Sequence, residues 1–283
     1  MHPSIYMLEK ELLEHKIVTR LPLFILLFSV LLMVLLVTNY NVDFDFKLNI
    51  NMMAGQDVVN LQHGFSSSIA FVASGVSYML SILYLSKTLR KESQEGSLAF
   101  WRSMPVSDLL THWVKLVFAL LVIPFICSML VLSSELFLWL VSMFNPYQIN
   151  TLIGNISVLD VLQNYFNFLY HMLFVGAALL PFACFLLAIS QLVNSPLLVA
   201  FIAIYALKIV SAFAFAETGL EQFFNHFIDL PLQIINSYES ANIINHFVQL
   251  NTLFIYLVGG LFLLLSLSIR KHGELSIAQF FKG

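Results

Sequence analysis

Long apolar stretches alternate with short polar segments along almost the whole chain. Six stretches carry at most one charged residue each, and they cover residues 21–40, 65–85, 116–144, 166–193, 196–216 and 247–269. A helix needs about 20 apolar residues to cross a hydrocarbon core of about 30 Å. The pattern therefore predicts an all-α integral membrane protein, with six transmembrane helices in a single domain over residues 1–283.

The boundary between the fourth and fifth stretches decides whether there are six spans or five. It consists of the sequence SQLVNSP, in which Pro196 disfavours helix at Ser195 and suits the start of a new helix. A mere kink here would leave five spans, with the two chain ends on opposite sides. Cytoplasmic loops carry an excess of Lys and Arg, and five spans would export the pair Arg270 and Lys271. Six spans place these basic residues on one side, predicted to be cytoplasmic with both termini: Lys10, Lys16, Arg20, Lys87, Arg90, Lys91, Arg102, Lys115, Arg270, Lys271 and Lys282.

Two segments outside the spans have helical patterns of their own. Residues 5–18 place Ile5, Leu8, Leu12 and Leu13 at helical spacing, which predicts an interfacial helix on the inner surface. A solvated helical tail is the alternative. Residues 217–246 predict short outer helices, interrupted at Pro231, that form a re-entrant-like segment.

Composition agrees with a membrane protein and narrows the function. Hydrophobic residues make up 59% of the chain and charged residues 10%, against roughly 25% charged residues in soluble domains. The net charge of −3 and the lack of a Lys/Arg-rich patch argue against nucleic-acid binding. An enzyme is disfavoured because the chain has no HExxH motif and the SGVS sequence at Gly75 has no evident histidine partner within a span.

The most polar internal segment, residues 90–108, reads RKESQEGSLAFWRSMPVSD. Gly96 suits the end of a helix, Pro105 ends the short apolar turn SLAFWRSM, and Ser107 with Asp108 suits the start of the next helix. The order predicted is helix, turn, short surface helix, turn, helix. Such an element is either a docking knob for another protein or a capped loop that rests on lipid headgroups.

This segment and its continuation, KESQEGSLAFWRSMPVSDLLTHWVK, resemble the cytoplasmic coupling segment of ABC transporter permeases of the type-2 exporter class. The order of elements resembles that family over nearly the whole chain. Three residues occupy the short helix itself: Phe100, Trp101 and Arg102. The residues that carry the match are Glu92, Glu95, Gly96, Leu98, Pro105, Val106 and Ser107.

The resemblance implies a permease subunit of the bacterial inner membrane that exports an amphiphilic, peptide or drug-like substrate. It implies a dimer with a second copy or a related chain, and two ATP-binding subunits that contact the coupling segment. None of the 11 glycines is followed by Lys, so the GxxxxGK[ST] phosphate loop is absent. ATP and Mg²⁺ are therefore expected on the partner ATPase, with no cofactor and no enzymatic activity on this chain.

Two ionisable residues interrupt the apolar stretches. Glu135 lies late in the third span and Lys208 lies past the middle of the fifth, and such residues are costly in a bilayer. They are expected to form an ion pair, to line a substrate route, or to reach the interface by snorkelling. An ion-coupled secondary transporter that uses both residues is the rival function, although no internal repeat supports it.

Overall fold

The chain folds as a bundle of helices, and the structure, a computed structural model, describes residues 3–38, 60–94, 107–144, 156–214, 220–236, 247 and 250–272. All regular secondary structure within these ranges is helical, as predicted. One helix, α-helical over Asp108–Val117 and Ile123–Phe144, is π-helical at Phe118–Val122 between these parts. The helices are α1 Pro3–Glu14, α2 Lys16–Thr38, α3 Asn60–Gln94, α4 Asp108–Val117 continuing as Ile123–Phe144, α5 Val158–Leu192, α6 Pro196–Ala214, α7 Leu220–Asn236 and α8 Leu250–His272.

Four helical stretches in the described ranges are long and apolar enough to cross a membrane. They are Ser66–Lys91, Asp108–Leu140, Val158–Leu192 and Thr252–Lys271, and α6 contributes the shorter apolar stretch Pro196–Val210. Many large apolar side chains are exposed on the outside of the bundle, as expected for helices that face lipid. A membrane-embedded protein follows, while the full six-span layout stays a prediction.

The central helix is α5, which packs against α3, α4, α6, α7 and α8. It starts at Val158, before the predicted span 166–193, because Ser157 and Asp160 form a capping box. The Ser157 N–H donates to Asp160 Oδ2 at 2.9 Å, and the Asp160 N–H donates to Ser157 Oγ at 3.3 Å. This reciprocal pair satisfies N–H groups that a helix start leaves without partners.

The predicted break between the fourth and fifth stretches is confirmed. Helix α5 ends at Leu192 and α6 begins at Pro196. Arg90 at the end of α3 holds the connection, since its Nη1 donates to Val193 O at 2.8 Å and its Nη2 to Asn194 Oδ1 at 2.6 Å. A cation at the carboxyl end of α5 is also favoured by the helix dipole.

The predicted interruption at Pro231 is wrong. Helix α7 runs from Leu220 to Asn236 with Pro231 inside it. The helix continues because it packs against α5, α6 and α8 and buries Leu230 and Ile234 completely or nearly so. His171 of α5 adds a hydrogen bond from Nε2 to Ile234 O at 2.8 Å. The rest of the predicted outer segment lies outside the described residues, apart from Phe247.

Two internal prolines leave backbone carbonyls without helical partners, and neighbouring helices supply them. Pro181 has no N–H to donate to Ala177 O, and the Tyr256 hydroxyl of α8 donates to that oxygen at 2.9 Å. Near Pro124, the N–H of Ile123 donates to Phe118 O in the π-helical turn. Ala119 O then accepts from Ser81 Oγ of α3 at 2.7 Å. The prolines thus specify contacts between helices.

Two glycines allow close helix packing. A Cβ added at Gly176 of α5 would lie 3.0 Å from Leu120 O of α4, and one at Gly259 of α8 would lie 2.8 Å from Pro181 Cα of α5. Small residues at such contacts let backbones approach in membrane bundles. The neighbouring Gly260 has open space where a Cβ would be.

We expect Gly259→Ala to destabilise the bundle by about 1–3 kcal/mol, because the new methyl group forces α8 away from α5. The matched variant Gly260→Ala keeps the same helix and adds the same group without a clash, so its stability should equal or exceed that of the wild type. Thermal unfolding in detergent micelles measures both. Equal effects of the two substitutions would contradict the close α5–α8 packing.

Candidate functional site

Basic residues from α1, α2, α3, α4 and α8 lie at one end of the bundle, which we call the basic end. There the last turns of α3 contact α1, the first turns of α4 contact α1 and α3, and the last turns of α8 contact α4 and α5. Lys91 Nζ of α3 donates to Glu14 O of α1 at 3.3 Å. Arg270 Nε of α8 donates to Asp108 Oδ1 of α4 at 2.9 Å. The sequence predicted that the basic residues lie on one side of the membrane. The basic residues in these contacts do lie together, at one end of the bundle.

A buried ion pair joins α1 to α4 at this end. Lys115 Nζ lies 2.6 Å from Glu11 Oε1, and the two side chains are 1% and 5% exposed. Removing such charges from water costs several kcal/mol for each ion, so the pair is stable only with additional hydrogen bonds. Helix α3 provides them.

Helix α3 surrounds the ion pair with two hydroxyl groups. The Tyr84 hydroxyl donates to Glu11 Oε2 at 2.7 Å. Thr88 Oγ1 accepts from Lys115 Nζ at 2.7 Å and donates to Glu11 Oε2 at 3.3 Å. The four residues Glu11, Tyr84, Thr88 and Lys115 form one network, hereafter the Glu11 network, which ties three helices together.

The charge state of the Glu11 network follows from its surroundings. Burial raises the pKa of the Glu11 carboxyl, but Lys115, through its charge and hydrogen bond, and the Tyr84 hydroxyl outweigh burial and bring the pKa below its usual value. Burial lowers the pKa of His15 to about 4, against the opposing effect of Glu11. His15 Nε2 lies 3.5 Å from Glu11 Oε2, yet at neutral pH this contact is not an ion pair because the imidazole is neutral.

A second network joins α4 to α8 and α5. His112 Nδ1 lies 2.8 Å from Asp108 O, a carbonyl that can only accept, so Nδ1 carries the proton. His112 Nε2 is then free to accept from Ser266 Oγ at 2.9 Å, and that hydroxyl accepts from Gln191 Nε2 at 2.6 Å. The first turns of α4 are thus fixed on two sides.

Helix α1 leaves most of its predicted apolar face exposed and buries a charged residue, Glu11. Met7 and Glu11 are buried against the bundle, whereas Ile5, Leu12 and Leu13 are exposed. The exposed apolar face suits an interfacial helix, and the polar Glu11 points inward because Lys115 compensates its charge. Sequence reasoning missed this pair by assigning Lys115 to the cytoplasmic side without a partner. A lone lysine inside the helical pattern THWVKLV was the available signal.

A third polar contact lies within the apolar part of the bundle. Glu135 of α4 is 1% exposed, and its Oε2 accepts from Asn164 Nδ2 of α5 at 3.5 Å. Asn164 Nδ2 also lies 3.4 Å from Ser66 Oγ of α3. Among the described residues the hydrogen-bond partner of Glu135 is Asn164. Lys208 is half-buried on α6, and its ion pair with Glu135 stays a prediction.

The predicted coupling segment is described only at its two ends. Helix α3 extends through Glu92 to Gln94, which confirms the polar helical extension. Ser107 caps α4 as predicted, with Oγ accepting from the Leu110 N–H at 3.3 Å. The remaining residues of the predicted site lie outside the described residues: Glu95, Gly96, Leu98, Phe100, Trp101, Arg102, Pro105 and Val106.

The polar features described above are the two networks at the basic end and the contact between Glu135 and Asn164. No group of three or more His, Cys, Asp or Glu side chains suitable for a metal ion occurs in these ranges. No protein-family model, curated protein or solved structure matches this chain.

We expect Lys115→Met to destabilise the protein by about 3–5 kcal/mol, because it leaves the Glu11 carboxylate buried without its counter-ion. Lys10→Met removes a lysine from the partly exposed pair with Glu14, at 3.5 Å, and should cost less than about 1 kcal/mol. The double variant Glu11→Leu/Lys115→Met should be more stable than Lys115→Met alone. Unfolding in mixed micelles measures all three, and similar values for Lys115→Met and Lys10→Met would refute the buried pair.

The free energy of unfolding should fall as the pH is lowered from about 6.5 to about 4. In this window the unfolded chain binds a proton at His15, whose usual pKa is 6.5, while the folded chain, with its pKa at about 4, does not. Glu11 extends the loss to still lower pH, since its folded pKa is below the unfolded value. His15→Gln should flatten the upper part of the profile in thermal unfolding; an unchanged profile would contradict burial of neutral His15.

Proposed function

We propose that this chain is the permease subunit of an ATP-driven ABC exporter of the type-2 class. The observation that supports the proposal best is the hydrogen bond between Thr88 of α3 and Lys115 of α4, at 2.7 Å. These helices flank residues 95–106, so the predicted coupling segment is held at both ends by elements that are joined to each other.

A coupling element must transmit displacement rather than absorb it. Through the Glu11 network, a force on the segment acts on α1, α3 and α4 together. Through Asp108 and Arg270, and through His112 and Ser266, it also acts on α8. Rigid-body movement of packed helices is a common way to exchange conformations. ATP-dependent closure of a partner can thus be passed to the bundle.

The proposed arrangement places the basic end in the cytoplasm of a bacterium, because Lys and Arg are enriched in cytoplasmic loops. Six spans cross the inner membrane and both termini are cytoplasmic. Two copies, or this chain and a related one, form the pathway for an amphiphilic, peptide or drug-like substrate. Two ATP-binding subunits supply ATP and Mg²⁺ and contact residues 90–108.

Co-purification from native membranes tests the proposal. The tagged wild-type chain should carry an ATP-binding subunit and ATPase activity, and both should be lost in Glu92→Lys, Glu95→Lys and Trp101→Ala. Membrane insertion should be unchanged, since these residues are outside the apolar stretches. The matched charge reversal Glu9→Lys, on the exposed side of α1, should retain the ATPase. Retention of ATPase activity and transport in all three coupling variants would refute the assignment.

An ion-coupled secondary transporter is the second candidate, and Glu135 is the observation in its favour. This carboxyl group is buried in the bundle, and its Oε1 has no hydrogen-bond partner among the described residues. Buried ionisable groups in membrane helices commonly mark ion or proton routes. Purified protein alone in liposomes distinguishes the two functions: gradient-driven uptake that is lost in Glu135→Gln would favour the secondary transporter and would refute the ATP-driven exporter.

A further inference from the structure

A groove opens at the basic end, between the junction of α1 and α2, the last turns of α3 and the connection from α5 to α6. Its volume is about 740 Å³, which is within the range of small-molecule sites. No described residue of α4 lines it, although Tyr84 of the Glu11 network does. Arg90 and Lys91, at the start of the predicted coupling segment, also line the groove, but most of its lining residues belong to neither the polar networks nor that segment.

Cationic groups predominate among the charged residues of the groove. Lys16 of α2 and Lys87 of α3 line it with exposed side chains. Arg90 and Lys91 line it as well and hold the connection and α1 in place through Val193 O and Glu14 O. The groove thus has a positive electrostatic field and two lysines at its opening.

The acidic and titratable groups of the groove do not cancel this field. Its lining contains one carboxylate, Glu14, which lies 3.5 Å from the ammonium group of Lys10. His15 is neutral at pH 7 because burial lowers its pKa to about 4. An anion entering the groove would meet a net positive charge at neutral pH.

The remaining wall is apolar and reaches the outer surface of the bundle. Ile17 of α2, Leu83 of α3 and Leu198 of α6 line the groove and are exposed. Exposed leucine and isoleucine side chains beside lysines are typical of the boundary between headgroups and hydrocarbon. The groove therefore combines a cationic part with an apolar part.

We propose that this groove binds an anionic glycerophospholipid, with the phosphate group at Lys16 and Lys87 and an acyl chain along Leu83 and Leu198. Basic pockets between membrane helices on the cytoplasmic side bind acidic headgroups in this way. A free anion would use the cationic part only, whereas a lipid uses both. The proposal requires a membrane-embedded bundle and is independent of ATP coupling.

Native mass spectrometry and thermal unfolding of the full chain in a neutral detergent test the proposal. Phosphatidylglycerol, phosphatidylcholine and inorganic phosphate are the probes. The double variant Lys16→Gln/Lys87→Gln removes the exposed cations of the groove. The matched variant Arg20→Gln/Lys271→Gln removes two exposed cations on α2 and α8 that do not line it.

We expect the wild type and the matched variant to retain phosphatidylglycerol and to be stabilised by it, with weaker effects of phosphatidylcholine. The groove variant should bind phosphatidylglycerol roughly tenfold more weakly, with unchanged stability in the absence of lipid. Equal weakening in both variants, or none in the groove variant, would overturn the proposal. Saturable stabilisation by inorganic phosphate equal to that by phosphatidylglycerol would also overturn it, since the apolar wall would then contribute nothing.

Discussion

The contact on which the basic end depends is the buried ion pair between Glu11 and Lys115. Either charge alone would be too costly in an apolar bundle, so each residue requires the other. Tyr84 and Thr88 complete the hydrogen bonding of the carboxylate. As a result α1 is a structural member of the bundle, although most of its apolar side chains are exposed.

The rest of the bundle depends on backbone groups rather than charges. Pro181 and the π-helical turn before Pro124 release carbonyl oxygens, and hydroxyl groups of Tyr256 and Ser81 on other helices bind them. Gly176 and Gly259 allow these helices to approach closely enough. Charged networks at one end and backbone contacts further along together make α3, α4, α5 and α8 a continuous unit.

Much of the helical layout could be predicted from the sequence because apolar length and capping residues are local signals. The break at Pro196, the cap at Ser107 and the polar extension of α3 to Gln94 follow from such signals. The continuity of α7 through Pro231 and the inward orientation of Glu11 depend on packing between distant segments. Helical periodicity identifies the faces of a helix but not the neighbour that each face meets, so the hydrogen bond from Asn164 to Glu135 could not be deduced.

The distance in sequence between the ion-pair partners has a consequence for biogenesis. Glu11 is synthesised 104 residues before Lys115, so α1 leaves the ribosome before the helix that carries the counter-ion of its carboxylate. Helix α1 must wait in the aqueous interface until α3 and α4 have been inserted, and only then can it dock. A segment that is synthesised before α3 and α4 therefore reaches its final position after them, and its docking requires that these two helices have already been assembled.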